Sequence, residues 1–306
     1  MSHNLSSVLL LFDYETDSPI EAAAAQWKVA AGAPSGALGA ARVAAHWAAQ
    51  IVAAAGWTLA APRPDHSHGA LEWVEPEGAL LGVEVERGGR TARAGLRVRD
   101  LTLFALSTDR AVREELPLAG QTLDTGLTWL GGALARILGV DLPRLERPRH
   151  ELPADPIGDG APFGRPELAA LEELAAWFSS ADRVLRAIAA STPGASPVRC
   201  WPHHFDIATL IRLDGADAPT ETARSIGVGL SPGDGSYAEP YWYVTPWPTP
   251  VRGGTAQLPH GHWHTQGWFG AVLPATSFAA AESAAAAGAR LATFLAAAIT
   301  AASAVT

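Results

Sequence analysis

The chain has 306 residues, of which 48% are hydrophobic, and its formal net charge at pH 7 is -9. This composition can fill a large hydrophobic core and excludes an intrinsically disordered chain. The acidic balance would repel a phosphate backbone, so we expect no nucleic acid among the partners.

Cysteine usage and hydropathy indicate the compartment. The single cysteine, Cys200, excludes an intramolecular disulfide and a Cys-rich zinc framework, and it fits a reducing cytoplasm. Two Ala-rich stretches, 22–60 and 278–305, are interrupted by charged residues, and alanine is only weakly hydrophobic. We therefore expect a cytoplasmic protein that does not enter the membrane.

The first half of the chain predicts helices around an antiparallel meander. Segment 1–36 is expected to be irregular, because Asp-Ser-Pro and Gly-Ala-Pro-Ser-Gly are typical breakers. Gly56 and Gly139 are predicted helix stops, and Arg87-Gly88-Gly89-Arg90 is a predicted hairpin turn. The predicted elements are a helix at 37–55, strands at 70–75, 79–86, 92–99 and 101–107, and a helix at 123–138.

A polar stripe interrupts the first long helix. Arg42, His46 and Gln50 are four residues apart, which places them on one side of an otherwise apolar helix. Because a buried polar group needs a hydrogen-bond partner, these residues must either face water or meet polar atoms of another segment.

The second half repeats the order of helix, strands and helix after a Pro-rich connection at 144–165, which is a predicted linker. The predicted elements are a helix at 166–190, strands at 198–213, 224–230, 240–246 and 262–273, and a helix at 278–300. We therefore predict an α+β fold of antiparallel sheets flanked by helices, with an internal duplication that relates 37–143 to 166–306. One continuous sheet flanked by all four helices is the alternative.

Histidines and tryptophans are concentrated between Trp201 and Trp268. Because side chains alternate along a strand, His204 and Asp206 are expected on one face, and His262 and His264 on one face of a later strand. If those strands are neighbours, the four side chains could bind a divalent transition metal such as zinc. The alternatives are ordinary interior histidines bonded to backbone, or a surface cluster without a role.

Further candidates would complete a polar site between the two halves. Asp206 and Glu239 are candidate proton-transfer groups, although Glu239 could equally be a solvated turn residue. A Cys200 nucleophile is a weaker hypothesis, because a lone cysteine in a strand is usually inert. The residues expected to line the pocket are Gln50, His46, His66, His68, Trp201, Tyr243 and Trp263.

Several short motifs occur in a recognisable order. They are Trp47-x-x-Gln50-Ile51-Val52, then Pro62 with His66 and His68, then Ser196-Pro197-Val198 before Phe205-Asp206-Ile207-Ala208, and finally Ser231-Pro232-Gly233 before Tyr241-Trp242-Tyr243 and Pro248. This order resembles a bacterial family known as domain of unknown function 5996. The resemblance covers roughly residues 37–298 and implies a common full-length fold. It implies no activity, because the family has none established.

The chain departs from that family pattern in three places. Trp201-Pro202-His203-His204 stands where the family typically has a histidine, aromatics and a small residue before the Phe-Asp stretch. Ala53-Ala54 stands where the family often has Gly-Lys, and His262-Trp263-His264 stands where the family has no histidine pair. The resemblance is therefore to a divergent member, and it draws attention to Gln50, His66, His68 and Asp206.

Three functions are compatible with these patterns. The first is a metal-dependent enzyme acting on a small molecule, in which Asp206 or Glu239 moves a proton. The second is a non-catalytic protein that holds a small molecule or a metal. The third is an interaction module that forms a homo-oligomer through its Trp-rich strands and Ala-rich last helix.

Overall fold

Two six-stranded antiparallel sheets, each preceded and followed by a long helix, make up the fold. The computed structural model describes residues 18–27, 35–214, 218, 222–250, 256–279, 281 and 283–306. The predicted α+β fold with antiparallel sheets is confirmed. The helices are α1 Pro19–Ala25, α2 Ser35–Leu59, α3 Leu123–Leu138, α4 Leu168–Ser191, α5 Thr276–Ala279 and α6 Ala284–Val305.

The first sheet lies between α2 and α3 in the sequence. Its strands are β1 Glu72–Val74, β2 Ala79–Leu81, β3 Val85–Arg87, β4 Arg90–Arg97, β5 Thr102–Ser107 and β6 Arg113–Pro117. The order is β1-β2-β4-β5-β6, with β3 paired to the start of β4. The predicted hairpin turn is confirmed, since Gly88 and Gly89 both adopt positive φ between the paired Arg87 and Arg90.

The second sheet follows α4. Its strands are β7 Arg199–Trp201, β8 Asp206–Arg212, β9 Ser225–Ser231, β10 Tyr241–Trp247, β11 His262–His264 and β12 Gly270–Pro274. The order is β7-β8-β9-β10-β12-β11, so the last two strands exchange places relative to a simple meander. Trp242, Val244 and Leu230 are fully buried on the core side of this sheet.

The two sheets meet edge to edge through one pair of residues. Leu71, just before β1, and Cys200, within β7, exchange two backbone hydrogen bonds of 2.9 and 2.8 Å. Residues from both halves, among them Ile51 of α2 and Phe178 of α4, belong to one continuous hydrophobic core. The halves are therefore joined by both backbone pairing and apolar burial.

The Pro-rich connection 144–165 lies against this core. Leu145, Ile157 and Phe163 are buried, and Trp47 donates its indole hydrogen to the carbonyl of Pro153 at 3.2 Å. The segment has the irregular backbone predicted for it, apart from one short 3₁₀ turn at Pro156–Asp159. It is anchored by apolar burial, which a freely extended linker would lack.

Helix α1 is a correction to the irregular segment predicted at 1–36. Ser18 caps it by accepting a hydrogen bond from the backbone of Ile20, and Pro19 occupies the first turn. Serine followed by proline therefore starts a helix here, because proline fixes a helical φ and lacks only an N–H that the first turn does not use. The rest of that segment, 1–17 and 28–34, lies outside the described residues.

The prediction that α2 ends at Gly56 is wrong, because the helix continues to Leu59. A Cβ on Gly56 would lie 2.0 Å from the carbonyl oxygen of His68. The glycine therefore permits close contact with the turn at Ser67–Gly69 and does not end the helix. At the end of α3, by contrast, Gly139 adopts a φ of 70° and caps the helix as predicted.

Helix α6 is the last element of the chain, and Ser283 is its N-terminal cap. Among the described helices it is the one whose length and apolar composition would allow it to cross a membrane. Its Leu291, Phe294 and Leu295 are buried, and it contacts α1 and the second sheet. These contacts account for the apolar residues on that side of the helix.

The close approach of α1 and α6 gives a stability prediction. A Cβ on Gly288 would lie 2.2 Å from the backbone oxygen of Ala24. We expect Gly288→Ala to lower the free energy of unfolding by about 1–3 kcal/mol, measured by urea denaturation. The matched control is Gly39→Ala in α2, where an added Cβ meets nothing within 4 Å. This control should raise stability by roughly 0.5–1 kcal/mol. Equal stabilities for the two variants would contradict the packing described here.

Candidate functional site

The polar stripe of α2 meets the turn that connects β7 to β8. His46 and Gln50 are buried, and both donate from their Nε2 atoms to the carbonyl oxygen of Pro202, at 2.8 and 2.6 Å. Gln50 also donates to the backbone of His46 at 3.2 Å. Two side chains of the first half therefore hold a carbonyl group of the second half.

The turn at 202–205 corrects the prediction of one strand across 198–213. Strand β7 ends at Trp201 and β8 begins at Asp206, so His204 and Asp206 are not alternate residues of one strand. Phe205 has a φ of 56°, an unfavourable conformation for a bulky side chain, and its ring stacks on His46 at 5.2 Å. Strained residues of this kind are enriched at functional sites.

Asp206 lies at the start of β8 and is 7% exposed. Tyr243 of β10 donates its hydroxyl to Asp206 Oδ2, although β9 lies between the two strands. The crossing is possible because Gly229 of β9 has no side chain, since a Cβ there would lie 2.5 Å from the Tyr243 hydroxyl. A glycine within a strand here allows an aromatic side chain to pass over it.

Burial dominates the electrostatics of this pair. It raises the pKa of Asp206, and the hydrogen bond from Tyr243 and the nearby His204 oppose only part of that effect. It also raises the pKa of Tyr243 well above its usual value, and the Asp206 carboxylate adds to the increase. Both groups therefore favour their protonated forms more than they would in water.

Arg42, one turn before His46, reaches the loop between β9 and β10. A Cβ on Gly233 would lie 2.6 Å from Arg42 Nη1, so the guanidinium passes directly over that glycine. Burial lowers the pKa of Arg42, while the charges of Asp234 and Tyr241 act in the opposite direction. Tyr241 donates to Asp234 Oδ2 at 2.5 Å.

We define the Asp206 site as Arg42, Gln50, Asp206, Tyr243 and the Pro202 carbonyl. Three of its buried polar atoms have no hydrogen-bond partner among the described residues, namely Arg42 Nη1, Gln50 Oε1 and Asp206 Oδ1. Buried polar atoms without a partner are uncommon in native proteins. Arg42 Nη1, Gln50 Oε1 and Asp206 Oδ1 are therefore unusual features of the Asp206 site.

The predicted four-ligand metal site is wrong. His262 and His264 lie on β11, at one edge of the second sheet, while His204 and Asp206 lie next to β7 and β8 at the other. Strands β12, β10 and β9 separate the two pairs. Within the ranges that the structure describes, no three His, Cys, Asp or Glu side chains form a group that could hold a metal ion.

His262 and His264 do point the same way, as strand alternation predicted. The hydroxyl of Tyr237 lies 2.8 Å from His262 Nε2 and 3.0 Å from His264 Nδ1. His264 Nε2 lies 2.7 Å from the carbonyl oxygen of Gln266, and its ring stacks on Trp268 at 4.2 Å. We refer to Tyr237, His262 and His264 as the Tyr237 cluster.

Other histidines form a chain of neighbouring rings at the junction of the halves. Its shortest contacts are His203 with His204 at 4.2 Å and Trp57 with His68 at 4.3 Å. Burial, together with the charges of neighbouring histidines such as His204 and His150, lowers the pKa of His203 to about 4. The members of the chain are His46, His66, His68, His150, His203 and His204, with Trp57 and Trp201 beside them.

The remaining predicted site residues have structural contacts. Glu239 accepts hydrogen bonds from the backbone and hydroxyl of Thr276, so it caps α5 and does not reach the Asp206 site. Trp263 faces away from His262 and His264 and stacks on Phe269 at 5.1 Å. Burial raises the pKa of Cys200 well above its usual value, which disfavours a thiolate nucleophile.

The two halves also enclose a cleft of about 580 Å³. Arg93, Arg186, Arg199 and Glu72 contribute its charged lining, and the predicted pocket residues do not line it. A second cleft, of about 570 Å³, contains His68. Of the residues predicted to line the pocket between the halves, His68 alone lines either of these two clefts.

Sequence reasoning missed His150, Tyr237 and Asp234. Tyr237 and Asp234 lie in a loop where nothing marks them except the turn-forming residues around them. The crossing of Tyr243 over β9 did have a signal, because Gly227 and Gly229 alternate within an otherwise apolar strand.

Comparison of the chain with models of known protein families, with curated proteins and with solved structures finds no match. The resemblance to domain of unknown function 5996 therefore stays a prediction.

The buried His46 predicts a loss of stability in acid. Burial lowers its pKa from 6.5 to about 4, and Arg42, His204 and His150 add to the effect. The folded state therefore binds this proton less readily than the unfolded chain, so stability is lost as pH falls from 6.5 through about 4. The difference corresponds to roughly 3 kcal/mol. We expect His46→Gln to reduce the slope of unfolding free energy against pH across this range; an unchanged slope would contradict the assignment.

Asp206 predicts the opposite dependence on pH. Because its pKa is raised in the folded state, its contribution to stability is complete below its usual pKa and is lost as pH rises through the raised value. We expect Asp206→Asn to gain stability relative to the wild type as pH rises from 4 to 8, measured by thermal unfolding. The matched control is Asp124→Asn, which changes an exposed carboxylate and should show no such trend.

Proposed function

We propose that this protein binds a small neutral molecule bearing hydroxyl or amide groups at the Asp206 site. The observation that carries the proposal is the presence of three buried polar atoms without partners among the described residues, two of them on α2 and one on β8. Gln50 Oε1 and Asp206 Oδ1 can accept hydrogen bonds, and Arg42 Nη1 can donate one. A ligand with both donors and acceptors matches this set.

The energetic reason is the cost of leaving buried polar atoms unpaired. Each such atom destabilises a protein by about 1–3 kcal/mol, and a ligand that pairs with it recovers part of that free energy. Phe205 provides an apolar surface beside the polar atoms, since its ring is buried against His46. Apolar walls with a few placed polar groups are typical of small-molecule sites.

The position of the site supports the same proposal. Arg42 and Gln50 belong to the first half, while Asp206 and Tyr243 belong to the second sheet. Ligand sites occur preferentially where two structural units meet. The hydrogen bonds to Pro202 hold these units in a fixed relation, so the ligand would meet groups that are already positioned.

Acid–base catalysis at the same site is the second candidate, and the Asp206–Tyr243 pair favours it. A buried carboxyl with a raised pKa can donate and accept protons closer to neutral pH than an exposed one. Metal-dependent catalysis with His204, Asp206, His262 and His264 as ligands does not fit the structure, because the sheet separates the two pairs. The interaction-module hypothesis stays a prediction.

Binding can be tested with a library of sugars, polyols and small amides by ligand-observed NMR. We expect at least one compound that binds the wild type and Asp124→Asn alike. Asp206→Asn and Gln50→Leu should each weaken that binding by roughly tenfold or more, because each removes one hydrogen-bond acceptor.

A compound that binds Asp206→Asn and Gln50→Leu as tightly as the wild type would contradict the proposal. Thermal unfolding of each variant would show that it is folded. Turnover of a bound compound, lost in Tyr243→Phe, would favour the catalytic candidate over simple binding.

A further inference from the structure

We propose that the Tyr237 cluster is a second, independent site, which binds one divalent copper ion through His262 Nε2, His264 Nδ1 and the Tyr237 hydroxyl oxygen. The three donor atoms come from an edge strand and from the loop between β9 and β10. They already meet at one point, because the hydroxyl lies 2.8 and 3.0 Å from the two imidazole nitrogens.

These separations suit metal coordination. Two donors that each lie about 2.0–2.1 Å from a metal and subtend a right angle are about 2.9 Å apart. Right angles between nitrogen and oxygen donors are typical of tetragonal Cu²⁺, which also binds such donors more tightly than other divalent first-row ions do. The separations are compatible with such an ion, and the order of affinities for nitrogen and oxygen donors favours copper over zinc.

The hydrogen bond at His264 Nε2 leaves Nδ1, the nitrogen that would bind the ion, without a proton. The carbonyl of Gln266 can only accept, so His264 Nε2 must carry the hydrogen that it shares at 2.7 Å. In the neutral ring, Nδ1 then presents a lone pair towards Tyr237. Metal-binding histidines commonly donate their second nitrogen to a carbonyl in this way, which fixes the ring orientation.

The loop holds Tyr237 in place by local hydrogen bonds. Asp234 Oδ1 accepts from the backbone of Ser236 at 2.7 Å and of Tyr237 at 3.0 Å, and the Asp234 backbone donates to the Tyr237 carbonyl at 2.7 Å. The Asp234 carboxylate thus stays close to the cluster and would favour a cation electrostatically. Trp268 covers one side of the His264 ring.

Coordination requires one proton to leave. In the metal-free cluster a single phenolic hydrogen serves two neighbouring imidazoles, so Tyr237 can donate to only one of them. The ion would replace that hydrogen, which passes to solvent, and would contact all three donors at once. His262 is exposed, so water can complete the coordination.

The test uses the full chain without an affinity tag, freed of metal by chelation and titrated with CuCl₂ and with ZnCl₂. Every protein carries His3→Ala, so that a histidine outside the described residues cannot contribute to Cu²⁺ binding. We expect one equivalent of Cu²⁺, bound more tightly than Zn²⁺. Its electron paramagnetic resonance should show two imidazole nitrogens, and a visible band should report charge transfer from the phenolate.

Three substitutions and one control separate a metal site from a purely structural hydrogen bond. His262→Ala and His264→Ala should each weaken Cu²⁺ binding by about 100-fold, and Tyr237→Phe should abolish the visible band and weaken binding by about tenfold. His260→Ala is the control, because His260 lies outside β11 and should leave affinity unchanged. Unfolding curves without metal check that each variant is folded.

The proposal is overturned if the protein with an unchanged Tyr237 cluster binds no copper. It is equally overturned if His262→Ala and His264→Ala bind copper as tightly as that protein does. It is also overturned if Tyr237→Phe keeps both the band and the affinity. Because none of these residues belongs to the Asp206 site, failure here would leave the small-molecule proposal intact, and the reverse also holds.

Discussion

The carbonyl oxygen of Pro202 is the contact on which the arrangement of the candidate site depends. It accepts two buried hydrogen bonds from His46 and Gln50 of α2. Loss of one donor would leave the carbonyl bonded to the other, whereas loss of both would leave a buried, unpaired oxygen at a cost of about 1–3 kcal/mol. Because α2 also contacts the first sheet and α4, this contact fixes the turn at 202–205 relative to both halves.

Several unfavourable features lie next to that contact. Phe205 has a strained backbone, Asp206 is a buried carboxyl with a raised pKa, and three polar atoms lack partners. A protein selected for stability alone would remove such features, and they are tolerated where they serve binding or catalysis. Burial of the continuous apolar core beneath both sheets offsets the free-energy cost of these features.

Much of the fold could be predicted because its signals are local. The helix at 123–138 ends at Gly139 as predicted, and the hairpin at 87–90 forms where two glycines supply positive φ. The wrong predictions of helix boundaries came from residues that are compatible with two different local structures. Ser18-Pro19 starts a helix where a break was expected, and Gly56 permits a close contact where a helix end was expected.

The sequence by itself determined that His262 and His264 share one side of a strand, and that Arg42, His46 and Gln50 share one side of a helix. Both follow from backbone periodicity over a few residues. Only the tertiary structure decided which groups these residues meet. Strands β9, β10 and β12 separate His262 from Asp206, and the turn at 202–205 brings Pro202 to α2. Strand order and contacts between the halves depend on how the whole chain buries its apolar residues, and a pattern of a few residues does not predict that.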